Sequence, residues 1–167
     1  MENTEQHILE EPATRLVPAN LLKRFINYFI DIITFSFVLT VLLVTLAPVF
    51  PWAQTLVYNL TKKPEAIGLI NQLSVSLIYG LYMSAMETIL KGKTIGKYIT
   101  GTRAVTENGS PTDPQTAFTR GLIRMIPFEQ LSILVTVLLS TPPRAWHDVW
   151  SGSIVVDESK SILPKIK

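Results

Sequence analysis

The stretch from Arg24 to Val49 most constrains this chain: after Asp31 it runs for eighteen residues without a charge. A helix crossing a bilayer needs about 20 mostly apolar residues, and this stretch supplies them. Asp31 lies inside the apolar run, and a carboxylate at membrane depth is costly unless it finds a partner, a water path or a proton. Arg24 stands seven residues earlier, about two helical turns away on the same face. Asn27 falls between them at helical spacing, so Arg24, Asn27 and Asp31 form one polar stripe. The spacing predicts that Arg24 and Asp31 act as one unit. Either Asn27 bridges them, or Asp31 meets Arg120 or Arg124 from a later helix.

Composition supports membrane burial. Apolar residues make up 47% of the chain and charged residues only 17%, and the formal charge of +2 is too small to suggest nucleic acid. With no cysteine, disulfides, thiolate metal sites and cysteine nucleophiles are excluded. His7 and His147 are the two histidines, too few and too far apart to predict a metal site. The acidic start lacks the basic beginning and short apolar core of a secretion signal, so the first apolar run reads as a permanent anchor. No serine has an elbow-like context, so neither an enzyme nor a cofactor is expected.

Taken in order, residues 1 to 18 read as a flexible tail and residues 50 to 66 as a connecting loop. A second span is predicted from about Ala66 to Leu90. Near its end, Glu87 and Lys91 are four apart, which reads as a helix-end ion pair at the interface. Gly92-Lys93-Thr94 invites a phosphate-binding reading, but that loop needs a glycine at position 87, where glutamate stands. The lysines of this segment read instead as holding the cytoplasmic lipid face. Tyr98 to Thr106 is a strand candidate closed by the Asn108-Gly109 turn, and Ile154 to Val156 is its natural partner.

Asp113-Pro114 predicts a capped helix start, with Arg120 and Arg124 on one side of the helix. From Gln115 to Ser140 the chain is expected to dip into the membrane and return, bending at Pro127, with a full crossing as the competing picture. His147-Asp148 reads as capping a turn beside a strand, or as a proton relay. The tail from 158 to 167 reads as flexible. Lysines and arginines cluster before the first helix and after the second, which places the N-terminus in the cytoplasm.

These motifs, in this order, resemble the RDD family of small integral membrane proteins, named for one arginine and two aspartates. Arg24 and Asp31 match the arginine that opens the first helix and the aspartate within it. Thr94-Ile95-Gly96-Lys97 matches the family's Thr-x-Gly-Lys segment, and Arg120 or Arg124 its later arginine, with Arg124 better placed. His147-Asp148 before Ser151 to Val156 matches the final motif, with Asp148 as the second aspartate. The chain departs at Ser153, where threonine is common, and at Tyr98-Ile99-Thr100, where a basic, leucine-rich segment is usual.

The resemblance covers about residues 18 to 157 and implies an all-α membrane protein. Its core is a helical domain over 19–157 with two transmembrane helices, a third proline-bent region and a short two-stranded cytoplasmic element. It implies a multi-pass protein of the cell membrane, and transport, including cation/proton exchange, has been suggested for some members. Two functions are therefore expected: a small cation/proton or solute transporter working as an oligomer, or an accessory protein whose polar stripe binds partner membrane proteins. The candidate polar cluster is Arg24, Asn27, Asp31, Glu87, Arg120, Arg124, His147 and Asp148. The lipid bilayer is the expected surrounding in both cases.

Overall fold

The computed structural model describes residues 14–62, 68–126 and 144–164, with Glu129, Ser132 and Val135 between the last two segments. Helix α1, Leu21–Leu46, begins where the Asn20 side chain accepts a hydrogen bond from the Lys23 amide. At 26 residues it is about 39 Å long, against a hydrocarbon core of about 30 Å. Among the described residues it is the helix long and apolar enough to cross a membrane. Phe25, Phe29, Phe37, Val41 and Val44 stand exposed on it, whereas Asn27, Asp31, Phe35 and Leu43 are buried.

Residues 51–62, expected as loop, form helix α2, Pro51–Lys62. Pro51 in its first turn needs no amide partner, and Ala53 packs out of solvent. Helix α3, Leu69–Ile89, buries Tyr79, Gly80, Met83, Ser84 and Glu87 along one stripe. Leu73, Leu77, Ile78 and Leu81 are exposed on its other faces. Phe35 of α1 meets the Tyr79 ring edge-on at 5.1 Å and the Tyr82 ring at 5.4 Å.

The strand expected over Tyr98 to Thr106 is split. Ile95–Thr100 is a short helix, α4, whose N-cap Thr94 accepts from the Lys97 amide. Gly101 ends it at φ +66°, a left-handed turn that glycine adopts without steric cost. Strand β1, Thr102–Thr106, then pairs antiparallel with β2, Ser153–Asp157, in the register Thr102 to Asp157 through Thr106 to Ser153. The expected two-stranded element is therefore present.

Residues 14–18 and 158–164, read as tails, run beside this sheet. The Asp157 amide donates to Val17 O, and Arg15 and Ile162 exchange backbone bonds of 3.0 and 2.8 Å. Helix α5, Pro114–Arg124, is capped by Asp113, which accepts from the Thr116 amide at 2.7 Å as expected. The bend at Pro127 and most of the apolar segment beyond it lie outside the described residues. Helix α6, Trp146–Trp150, precedes β2.

Small residues set two helix crossings. A Cβ on Gly80 would lie 2.6 Å from Gly121 O, so α3 and α5 touch backbone to backbone. A Cβ on Gly96 would lie 2.4 Å from Asn27 O, which presses α4 onto the first turns of α1. Close approach of this kind is how helices associate where apolar surface alone gives no preference.

Candidate functional site

The two crossings bring the polar residues of five elements together. Glu87, fully buried on α3, receives three cations: Lys97 Nζ at 2.5 Å, Arg120 Nε at 2.6 Å and Arg124 Nη2 at 2.9 Å. This corrects the interfacial pair expected between Glu87 and Lys91. Glu87 falls on the buried stripe of α3, whereas Lys91 lies past the helix end, exposed and at φ 50°.

Arg120, at 0% exposure, bridges to Asp148 Oδ1 at 2.7 Å and also donates to Ser153 Oγ. Arg24 Nη1 holds the other Asp148 oxygen at 2.5 Å, while its Nε and Nη2 reach the carbonyls of Ala19 and Val155. Arg24 therefore pairs with Asp148 and not with Asp31, a correction to the expected unit. Its side chain turns toward the sheet, away from the helix interior where Asp31 lies. Arg120 and Arg124 do share one face of α5, as their spacing predicted. Arg120 is the one that touches Asp148.

Asp31 has a different environment. Its Oδ2 accepts from Thr94 Oγ1 at 2.6 Å, and its Oδ1 accepts from the Gly96 amide at 2.7 Å. The carboxylate thus closes the start of α4, satisfying an amide the helix leaves unpaired. No salt-bridge partner lies on Asp31 among the described residues, and neither Arg120 nor Arg124 reaches it. Asn27 does not bridge Arg24 to Asp31 either. Its amide lies 2.5 Å from Thr100 Oγ1 and 2.9 Å from Thr102 Oγ1. With its nitrogen toward Thr100 it also donates to Gly96 O at 3.0 Å and Lys23 O at 3.1 Å.

His147-Asp148 sits in helix α6, not in a turn cap. His147 Nδ1 lies 2.6 Å from Glu129 Oε1 and Nε2 3.3 Å from Asp148 Oδ1. Burial lowers the His147 pKa, helped by Arg124 and opposed by the two acids. Burial alone would raise the Asp148 carboxyl. The basic groups around it, His147, Arg24 and Arg120, instead hold it well below the usual carboxylate range. Burial pushes the Lys97 ammonium down to about 8, against the pull of Glu87.

Lys97, Thr94 and Gly96 are the site residues that reading by charge and spacing missed. The signal for them is a threonine cap and a small residue two positions on, in a segment whose lysines look alike. Of Lys91, Lys93 and Lys97, only the last turns inward, at 3% exposure. It does not hold the lipid face as expected. Among the described residues, four carboxylates (Asp31, Glu87, Glu129, Asp148) face four basic side chains (Arg24, Lys97, Arg120, Arg124). A cavity of about 550 Å³ borders this cluster, lined among others by Asp31, Lys97, Arg124, Glu129 and His147, with Leu22 and Phe25 of α1 at its apolar side. Among the described residues, no three histidines or acids gather as a metal site.

A long apolar helix joined to a balanced ionic core, with apolar side chains turned outward, defines a helical membrane protein. The chain matches the RDD family over residues 18–152 and belongs to it. No curated protein and no solved structure matches it.

Proposed function

We propose that this protein is a two-crossing transporter of small cations, protons or solutes in the cell membrane, working as an oligomer, with Asp31 as its exchange group. The observation that carries the reading is the isolation of Asp31. Glu87 and Asp148 are each held by cations, so binding a proton or cation there would break an existing pair, and Glu129 is occupied by the His147 ring. Asp31 accepts hydrogen bonds from a hydroxyl and an amide and makes no salt bridge among the described residues, although Lys97 acts on it from beyond contact distance; it lines the cavity and sits inside the apolar helix. It can gain or lose charge without stranding a partner.

Strand pairing supports the crossing number. Ala19, before α1, bonds to Val155, and β1, after α3, pairs with the same strand. The chain therefore leaves and returns to one side between residues 20 and 102. If α1 crosses, α3 crosses back, because α2, at 12 residues, is about 18 Å long and too short. The same pairing favours the re-entrant course expected from Gln115 to Ser140 over a single third crossing, since β1 and β2 lie side by side. Two helices enclose no path alone, which favours an oligomer.

The alternative reading, an accessory protein whose polar stripe binds partner membrane proteins, has less support. Arg24, Asn27 and Asp31 face their own chain and have their hydrogen bonds made there.

The test is flux. The full chain is reconstituted alone in liposomes under Na⁺, K⁺ and Li⁺ gradients, with a pH-sensitive dye inside. Wild type should exchange cations for protons, and Asp31→Asn should be inserted and folded but silent, since its amide oxygen still accepts from Gly96. Asp31→Asn flux equal to wild type, or no wild-type flux under any gradient, overturns the reading.

A further inference from the structure

Helix α4 is inside out for a helix in water. Lys97 points inward at 3% exposure, while its neighbours Tyr98 and Ile99 face outward at 71% and 63%. An amphipathic helix on an aqueous surface keeps its lysine out and its isoleucine and tyrosine in. Here the order is reversed because Lys97 is needed at Glu87, and the outward face is left apolar.

The depth of α4 follows from its attachment. Gly96 packs on the Asn27 backbone and Thr94 on Asp31. Counting back about 20 residues from the far end of α1 at Leu46 puts the near edge of the hydrocarbon close to Asn27. The outer face of α4 therefore lies at that edge, the depth at which α1 also exposes Leu22 and Phe25. Lys93 lies 5.3 Å from the centre of the Tyr98 ring, a cation over an aromatic face, as suits the boundary between headgroups and acyl chains.

We propose that the Tyr98–Ile99 face of α4 is a lipid-contact surface, embedded at the boundary between headgroups and acyl chains on the side that carries the sheet. Its partner is the bilayer itself, continuous with the lipid face of α1. The embedded helix fixes the depth at which the Asp31 and Glu87 sites lie. This holds whether or not the protein transports anything, since it rests only on the membrane location of α1.

The absence of cysteine makes the test direct. Single-cysteine variants Tyr98→Cys, Ile99→Cys and, as an aqueous control, Glu107→Cys on the β1 turn are spin-labelled in the full chain. They are reconstituted in vesicles of phosphatidylcholine and phosphatidylglycerol. Collision with oxygen, which concentrates in lipid, is compared with collision with a water-soluble nickel chelate. At positions 98 and 99 oxygen access should exceed nickel access, and at 107 the order should reverse. Nickel access at 98 and 99 equal to that at 107 overturns the proposal. Immobilised labels shielded from both reagents and broadened by a second label overturn it too, since a second copy would then cover the face. Two sites are probed because a label at one exposed position does not threaten the fold.

Discussion

Glu87 shows how much rests on one carboxylate when the charges around it are buried. Three cations converge on it, and breaking a buried pair from one side costs about 3–5 kcal/mol because the remaining charges stay uncompensated. Glu87→Gln should therefore lower the thermal midpoint in detergent sharply. Lys97→Met should cost less, because two arginines still hold Glu87. The double variant should recover part of the Glu87→Gln loss, measured by thermal unfolding of all three. Acid should act on the same cluster. His147 and Asp148 both have lower affinity for protons in the fold than in the unfolded chain. The unfolded chain therefore takes up protons first, and the stability these groups contribute above their ordinary values is lost as pH falls. For His147 the loss sets in below about pH 6.5, and for Asp148 below about 3.8. A thermal midpoint that stays level from pH 7.5 to 5 would refute the part assigned to His147.

At the scale of elements, the cluster exists because helices approach at glycines. A Cβ on Gly121 would fall 1.8 Å from Ser84 Oγ and 2.4 Å from Gly80 O. The hydroxyl can swing away but the carbonyl cannot, so α5 must withdraw from α3 and carry Arg120 and Arg124 off Glu87. Gly121→Ala should cost about 1–3 kcal/mol from overpacking alone, and more where the ion pairs loosen. Gly96→Ala should act in the same way on α4, where the obstacle is Asn27 backbone, and should free the Asp31 carboxylate from its amide donor. Gly68→Ala is the control, since a Cβ there meets nothing within 4 Å. Thermal midpoints of the three variants should fall in that order of obstruction, with Gly68→Ala unchanged within error.

The whole molecule inverts the usual partition of a soluble protein. Among the described residues, the largest fully buried side chains are led by Arg120, Glu87 and Glu129, and the exposed ones include Phe25, Phe37, Leu73, Leu77, Tyr98 and Trp150. Exposed apolar area on this scale marks contact with a membrane. Both N- and C-terminal segments meet at the two-stranded sheet, so topology becomes a question of sides. Single-cysteine labelling in sealed cells answers it. Ser159→Cys should react only from the cytoplasm, on the side of Arg15 and the sheet, and Lys62→Cys, beyond α1, only from outside. Ser159→Cys reacting from outside would place the whole sheet outside and refute the cytoplasmic orientation, and the two cysteines reacting from the same side would refute the crossing by α1.

Local signals settled much of this in the sequence alone. The charge-free run after Asp31 gave α1, Asp113-Pro114 gave the start of α5, and short β-forming runs gave both strands, because each depends on neighbours within a turn or two. Among the polar residues, Arg24 and Asp31 were legible because charge is expensive in an apolar run, whereas Glu87 read as a helix-end ion pair and Asp148 as the second aspartate only through its likeness to the family motif. Their pairing was not legible. Arg24 reaches Asp148 across 124 positions and Asp31 closes a helix start 63 positions away, and no periodicity encodes such distances. Lys91, Lys93 and Lys97 are chemically equal in the sequence. Only the packing of Gly96 on Asn27 and of Gly121 on Gly80 decides that Lys97 turns to Glu87 while Tyr98 is left facing outward. Which acid keeps a cation and which stays free is decided by those backbone contacts, because charge pairing over a few ångströms follows from where the helices are allowed to touch.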